Sequence, residues 1–183
     1  MHRTKTFILG TLLLLACAAC ASRDGKAPAG ANNNISANQD TSAAGIKTPP
    51  ADIVHAEAQP IEIAAGGAAE AVVRLTIASG YHIGANPATL SYQIATQIKV
   101  EPADGITVGQ PVYPPSVTKK FAFEPQPFAV YEGEAIIKLP LRAEAGASRG
   151  THTLSAKLRV QACDEQACYP PRNLNTSIPV TVK

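Results

Sequence analysis

The sequence predicts an all-β fold, a β-sandwich that follows an export segment and a disordered linker. Three observations carry this. From residue 51 onward, apolar and polar residues alternate with the two-residue period of half-buried strands. Turn-forming Gly, Pro and Asn interrupt the runs about every 8–12 residues, the spacing of sandwich strands. No stretch carries apolar residues at the spacing of an amphipathic helix.

The strands follow in order. In Glu70–Ala78, Val73, Leu75 and Ile77 share one face; Val72, Arg74, Thr76 and Ala78 share the other, and Gly80 ends the run. Ser91–Val100 and Gly105–Val112 come next, joined by a turn over Pro102–Gly105. Val130–Arg142 reads as one long strand with Ala135, Ile137, Leu139 and Leu141 alternating with more polar neighbours. Within it Gly133 marks a bulge and Pro140 an edge position, because proline cannot donate to a ladder. Thr151–Ala162 sets Leu154, Ala156, Leu158 and Val160 against Ser155, Lys157, Arg159 and Gln161, and Leu174–Val182 closes the domain. About seven strands over roughly 130 residues suit one sandwich core.

Two segments of other character come first. Arg3 and Lys5 precede an apolar run of nine residues, Phe7–Leu15, far short of the roughly 20 that span a bilayer as a helix. A basic start, a short apolar run and then small residues form the pattern of a secretory signal peptide. Leu14-Leu15-Ala16-Cys17 resembles the lipobox of bacterial lipoproteins, where a small residue before the cysteine permits cleavage and the thiol takes a diacylglycerol. Cys20 is the alternative, although its third preceding residue is Cys17 rather than leucine. Ordinary cleavage near Ala19 or Ala21 would instead leave a soluble periplasmic protein. No Asp follows either cysteine, so the inner-membrane retention signal of such lipoproteins is missing and the outer membrane is favoured. Residues 1–20 are thus read as signal peptide and lipobox. Residues 21–50 are rich in Ala, Gly, Asn, Ser and Pro; they bury too little apolar surface to offset their ordering entropy and read as a flexible linker. Residues 51–183 form the folded domain.

Composition excludes several functions. From residue 51 onward, 11 Lys and Arg stand against 12 Asp and Glu, which leaves no basic footprint for nucleic acid and no steering field for strongly charged ligands. The chain has no Trp and 5% aromatic residues, which argues against a large aromatic binding platform. Neither a Ser/His/Asp arrangement nor a carboxylate pair marks a hydrolase. His55, His82 and His152 stand at no ligand spacing to one another, so no metal and no cofactor are expected.

Two cysteines remain, in Cys163-Asp-Glu-Gln-Ala-Cys168, with Tyr169-Pro170-Pro171 leading away. A strand delivers Cys163 to a short loop and the chain returns through Cys168. Opposed hairpin residues stand close enough to bridge, and an oxidising periplasm favours the disulfide. A loop so short contributes only about 2 kcal/mol by chain entropy. A bridge serving stability more naturally joins distant strands, whereas this one sits beside a turn within a partner's reach. Spacing alone leaves two readings open, a redox-active pair or a small stabilising disulfide in a binding domain. Asp164 and Glu165 disfavour a thiolate at Cys163. With its reduced form unstabilised, the pair is expected to give electrons rather than to oxidise.

The segment Val160-Gln-Ala-Cys-Asp-Glu-Gln-Ala-Cys-Tyr-Pro-Pro171 resembles the active-site segment of the N-terminal periplasmic domain of the DsbD family, the transmembrane thiol:disulfide interchange proteins. Further stretches agree in order: Gly80-Tyr-His-Ile-Gly-Ala-Asn-Pro87, Tyr113-Pro114-Pro115, Lys119-Lys120-Phe121, Tyr131-Glu132-Gly133-Glu134 and Leu139-Pro140-Leu141. Together they cover residues 55–183. The resemblance implies an immunoglobulin-like β-sandwich that takes electrons from a thioredoxin-like domain. It implies that they pass to periplasmic disulfide isomerases or cytochrome-maturation proteins. It also implies that Cys168 forms the mixed disulfide with partners while Cys163 resolves it. A loop phenylalanine shields the pair in this family; Phe121 and Phe123 are both candidates and the alignment does not choose. Tyr169 and Pro170, with Pro171, would stiffen the loop exit and shape the docking surface. His82 is read either as a proton acceptor near the pair or as a loop histidine satisfied by its neighbours.

Full-length members continue into a multi-helix membrane domain and a C-terminal thioredoxin-like domain, and neither occurs in these 183 residues. Some members also space their cysteines by five residues rather than the four found here. The expectation is a stand-alone, lipid-anchored, monomeric exchange module on the periplasmic side of a bacterial membrane. It would be a thiol–disulfide oxidoreductase of the protein-disulfide reductase type. Its partners would be thioredoxin-like redox proteins or disulfide isomerases. The alternative is a non-catalytic binding or assembly lipoprotein that keeps the disulfide as a staple.

Overall fold

The structure, a computed structural model, describes residues 50–183. The expected signal peptide, both lipidation candidates Cys17 and Cys20, and the linker up to residue 49 lie outside the described residues. The strands are β1 (Val54–Ala58), β2 (Ile61–Ile63), β3 (Ala68–Ile77), β4 (His82–Gly84), β5 (Gln97–Val100), β6 (Ile106–Val108), β7 (Val117–Lys119), β8 (Phe128–Tyr131), β9 (Glu134–Ala143), β10 (Gly150–Val160), β11 (Ala162–Cys163) and β12 (Arg172–Val182). No helix occurs among the described residues. The all-β, sandwich-like class expected from the alternation is the one the chain builds.

The strands form three four-stranded sheets, ordered β1-β3-β9-β6, β2-β12-β10-β5 and β11-β4-β8-β7. All pairings are antiparallel except β2 with β12. The first two sheets share one core. Val73, Leu75 and Ile77 of β3 and Ile137, Leu139 and Leu141 of β9 pack with Leu154, Leu158 and Val160 of β10 and Ile178 and Val180 of β12. In all four strands every second side chain faces this core, so the period seen in the sequence is the period of burial. The third sheet carries a smaller apolar cluster of Phe121, Phe128, Val130 and Cys163.

Five expectations are revised. The run from Val130 to Arg142 is two strands in two different sheets: β8 pairs with β4 and β7, and β9 pairs with β3 and β6. Gly133, at φ 64°, is the hinge between them rather than a bulge. Pro140 is not on an edge strand, since β9 lies between β3 and β6. Its carbonyl accepts from Gly109 N at 2.7 Å just beyond the end of β6. Its nitrogen faces that same side, where the β6 ladder has stopped, so the missing donor costs no ladder bond. Only Gln97–Val100 of the expected strand over 91–100 is extended, because residues 85–96 are fastened as a loop. Only Ile106–Val108 of the expected strand over 105–112 persists; Gly109 and Pro111 interrupt it, and Val112 returns as an isolated bridge to Lys138.

Candidate active site

The site forms where the chain leaves the second sheet for the third. β10 ends at Val160, Gln161 breaks the alternation, and Ala162 and Cys163 pair with Ile83 and His82 of β4. Gln161 Nε2 donates to Tyr169 O at 3.0 Å and Tyr169 N to Ala162 O at 2.8 Å, so the outgoing chain is tied to the incoming one. Between these ties Cys163 and Cys168 face each other as an antiparallel bridge, with Cα atoms 3.9 Å apart, and form a disulfide. The two sulfurs differ in access. Cys163 is 2% exposed and belongs to the Phe121 cluster, whereas Cys168 is exposed.

The loop between them is built on Asp164. Its Oδ1 accepts from Gln166 N and Ala167 N, both at 2.8 Å, in an Asx turn. Asp164 N donates to Ala167 O at 2.9 Å, and Oδ2 accepts from the Tyr169 hydroxyl at 2.5 Å. That hydrogen bond, with burial added to it, pushes the Tyr169 hydroxyl up to about 12. Glu165 pairs with Lys119 Nζ at 2.8 Å. Both carboxylates beside Cys163 therefore already have partners. They do not act on the cysteines as bare negative charges.

A cleft of about 200 Å³ opens at the disulfide. Cys163 and Cys168 line it together with Gly84, Leu90, Tyr92, Gln93, Phe123, Glu124 and Phe128. The Leu90–Gln93 side is held by polar bonds. Gln93 Nε2 donates to Ala129 O at 2.5 Å, Ala129 N to Thr89 Oγ1 at 2.9 Å, and Asn86 Nδ2 to Thr96 O at 2.9 Å. Thr96 N and Oγ1 both donate to Gly84 O, at 2.9 and 2.7 Å. Gly84 permits this approach, because an added Cβ would overlap the Ile94 carbonyl oxygen. Across the rim, the Tyr92 hydroxyl donates to Glu124 Oε2 at 2.9 Å, which raises the Tyr92 hydroxyl above its ordinary value.

The expected site residues divide by position. Phe123 lines the cleft and is 37% exposed; Phe121 lies beneath, 1% exposed, stacked on Phe128 with ring centroids 4.9 Å apart. Tyr169 is buried and braces the loop rather than presenting a surface, and Pro170 is exposed. His82 is a buried strand residue, not a loop histidine. Leu90, Tyr92, Gln93 and Glu124 escape a sequence reading because no local pattern marks them; long-range hydrogen bonds bring them to the rim. Among the described residues no group of three or more His, Cys, Asp or Glu is placed to hold a metal ion.

The sequence profile of the family described as Thiol:disulfide interchange protein DsbD, N-terminal, matches residues 51–178. The chain belongs to this family. No curated protein matches it. Among solved structures it is similar to the N-terminal periplasmic domain of ScsB from Proteus mirabilis, at 15% identity and a TM-score of 0.47, over 68% of this chain and 44% of that one. The DsbD-type chain thus spans less than half the length of that neighbour. It is also similar to a Coh-OlpC–Doc435 cohesin–dockerin complex from Clostridium thermocellum, at 9% identity and a TM-score of 0.41, over 75% of this chain and 99% of that one.

Proposed function

We propose that this chain is a thiol–disulfide exchange module that relays electrons between a thioredoxin-like donor and periplasmic disulfide proteins. Cys168 engages the partner and Cys163 resolves the mixed disulfide. The observation that carries the reading is the asymmetry of the pair: both sulfur-bearing residues line the cleft, but Cys168 is exposed and Cys163 is buried. Exchange needs one sulfur that a partner's thiolate can reach and a second held close enough to make resolution intramolecular. Membership in an interchange family supports the same reading. Phe123 is the shielding residue, and Phe121 supports it from below. A lipid at Cys17, with Cys20 as the alternative, would hold the module on the periplasmic side of the membrane.

The test is the reduction potential of the Cys163–Cys168 pair. It is measured in the purified full chain, with Cys17 and Cys20 replaced by Ser, by equilibrium with glutathione. A value between roughly −120 and −270 mV places the pair among exchange proteins and sets the direction of flow against each candidate partner. A value below about −300 mV marks a structural disulfide and gives the chain to the binding or assembly reading.

A further inference from the structure

His82 stands directly opposite Cys163 in the β4–β11 ladder, so the two side chains leave the same face of the sheet. Both pack on Phe121: Cys163 shares its apolar cluster, and the His82 ring meets it edge-on with centroids 5.2 Å apart. The Nε2 of His82 is 3.1 Å from Glu132 Oε2 and 2.7 Å from Lys119 Nζ. Lys119 in turn pairs with Glu165 of the disulfide loop. Nδ1 is buried and has no hydrogen-bond partner among the described residues. Buried ring nitrogens are ordinarily satisfied, and an exception calls for a chemical reason. The neighbouring reactive group is Cys163, which in the disulfide has neither a proton to give nor a charge to be stabilised.

We propose that His82 is the proton acceptor for Cys163 in the resolving half of the exchange cycle, an assignment that rests on the function proposed above. In the reduced chain the Cys168 thiolate attacks a partner disulfide. A Cys168–partner bond forms, and the partner's other sulfur leaves as a thiolate. Cys163 then gives its thiol proton to His82 Nδ1 while its sulfur attacks Cys168 Sγ. The Cys168–partner bond breaks, the Cys163–Cys168 bond forms, and the partner departs with its second thiolate and two electrons. Cys163 lies among Phe121, Phe128 and Val130, where no bulk water supports a thiolate, so an adjacent base is the efficient way to produce one.

The titratable groups facing the ring or its partners are Cys163 on β11, Lys119 on β7, Glu132 after β8 and Glu165 in the disulfide loop. In the Nε2–H tautomer Glu132 accepts that proton and Nδ1 is left free to accept; the carboxylate also faces the imidazolium that proton transfer creates. A Lys119 ammonium donating to the same nitrogen would favour the other tautomer, and its pairing with Glu165 draws it away from the ring. The two neighbours therefore compete for one nitrogen, Glu132 favouring a free Nδ1 and Lys119 opposing it.

The test mixes the reduced full chain, with Cys17 and Cys20 replaced by Ser, with oxidised glutathione across about pH 5 to 8. Resolution is followed as release of the second glutathione thiol. The native rate is expected to rise through a histidine titration. His82→Gln should abolish that limb and slow resolution roughly 100-fold at neutral pH, the usual scale for a positioned base. Glu132→Gln, which removes the acceptor that keeps the proton on Nε2, should slow resolution, and Lys119→Met should not; both replace side chains more exposed than His82, so this arm does not depend on how His82→Gln folds. Superimposed profiles for the native, His82→Gln and Glu132→Gln chains would overturn the proposal and leave the exchange function standing. A native chain that never reacts with oxidised glutathione would overturn both.

Discussion

Asp164 and Tyr169, the residues that follow Cys163 and Cys168, are bonded to each other, the Tyr169 hydroxyl donating to Asp164 Oδ2 at 2.5 Å. The carboxylate closes the loop from inside, and the phenol locks it to the outgoing strand. Asp164→Asn is expected to bring Tyr169 down from about 12 toward the ordinary 10.0, read as the absorbance of tyrosinate against pH. Because the folded value lies above the unfolded one, the stabilisation is complete below pH 10.0 and is lost as pH rises through about 12. Loop order should therefore be insensitive to pH across the neutral range and fail only in alkali. A Tyr169 that titrates with the exposed tyrosines would contradict the bond.

The two cysteines should respond differently to replacement by serine. Either change removes the short-loop disulfide, a loss of about 2 kcal/mol. Cys163→Ser also places a hydroxyl among Phe121, Phe128 and Val130, a further cost of about 1–3 kcal/mol. The Cys163→Ser chain should thus melt below the Cys168→Ser chain. Chemically the order reverses: Cys163→Ser, with exposed Cys168 intact, should accumulate a glutathione mixed disulfide. Cys168→Ser, left with a buried sulfur, should form one far more slowly. Mass spectrometry of the adducts reads this directly, and equal adduct rates would remove the division of labour between the sulfurs.

Phe121 and Phe123 are two residues apart in sequence but are expected to fail in different ways. Phe121→Ala empties the centre of the smaller cluster and should cost about 3–5 kcal/mol in unfolding free energy. Phe123 is 37% exposed, so Phe123→Ala should cost only about 1 kcal/mol. It should instead open the cleft and speed reduction of the disulfide by dithiothreitol several-fold. If Phe123→Ala leaves that rate unchanged, the residue does not shield the pair.

The sequence was legible where one face of a strand is buried and the other wet. β3, β9, β10 and β12 meet that condition, and their alternation could be read residue by residue. β8 does not, since all four of its residues are buried. Without a polar face it merged with β9, and Gly133 passed for a bulge. Residues 91–95 looked extended because the bonds that hold them as a loop, such as Gln93 to Ala129, are long-range. In the site, the cysteine spacing announced the bridge. The position of His82 opposite Cys163, and the pairing of Lys119 with Glu165, depend on strand register and lay beyond a local reading.

Gly84 gives the sharpest test of how the cleft is assembled. Its carbonyl receives both Thr96 donors, and its Cα faces the Ile94 carbonyl so closely that a methyl group cannot fit. The obstructing atom is backbone, so no rotamer change relieves the clash. Gly84→Ala must therefore push residues 94–96 away from β4. Overpacking of this kind costs about 1–3 kcal/mol. The displaced loop also carries Leu90, Tyr92 and Gln93, one side of the cleft. The expected outcome is a modest fall in Tm together with faster attack on Cys168 by small thiols. Because the clash falls on the 94–96 loop and not on the long strands β3, β9, β10 and β12, the circular dichroism of the strands should persist. A Gly84→Ala chain with native melting and native thiol reactivity would mean that the cleft wall is not fixed by this contact.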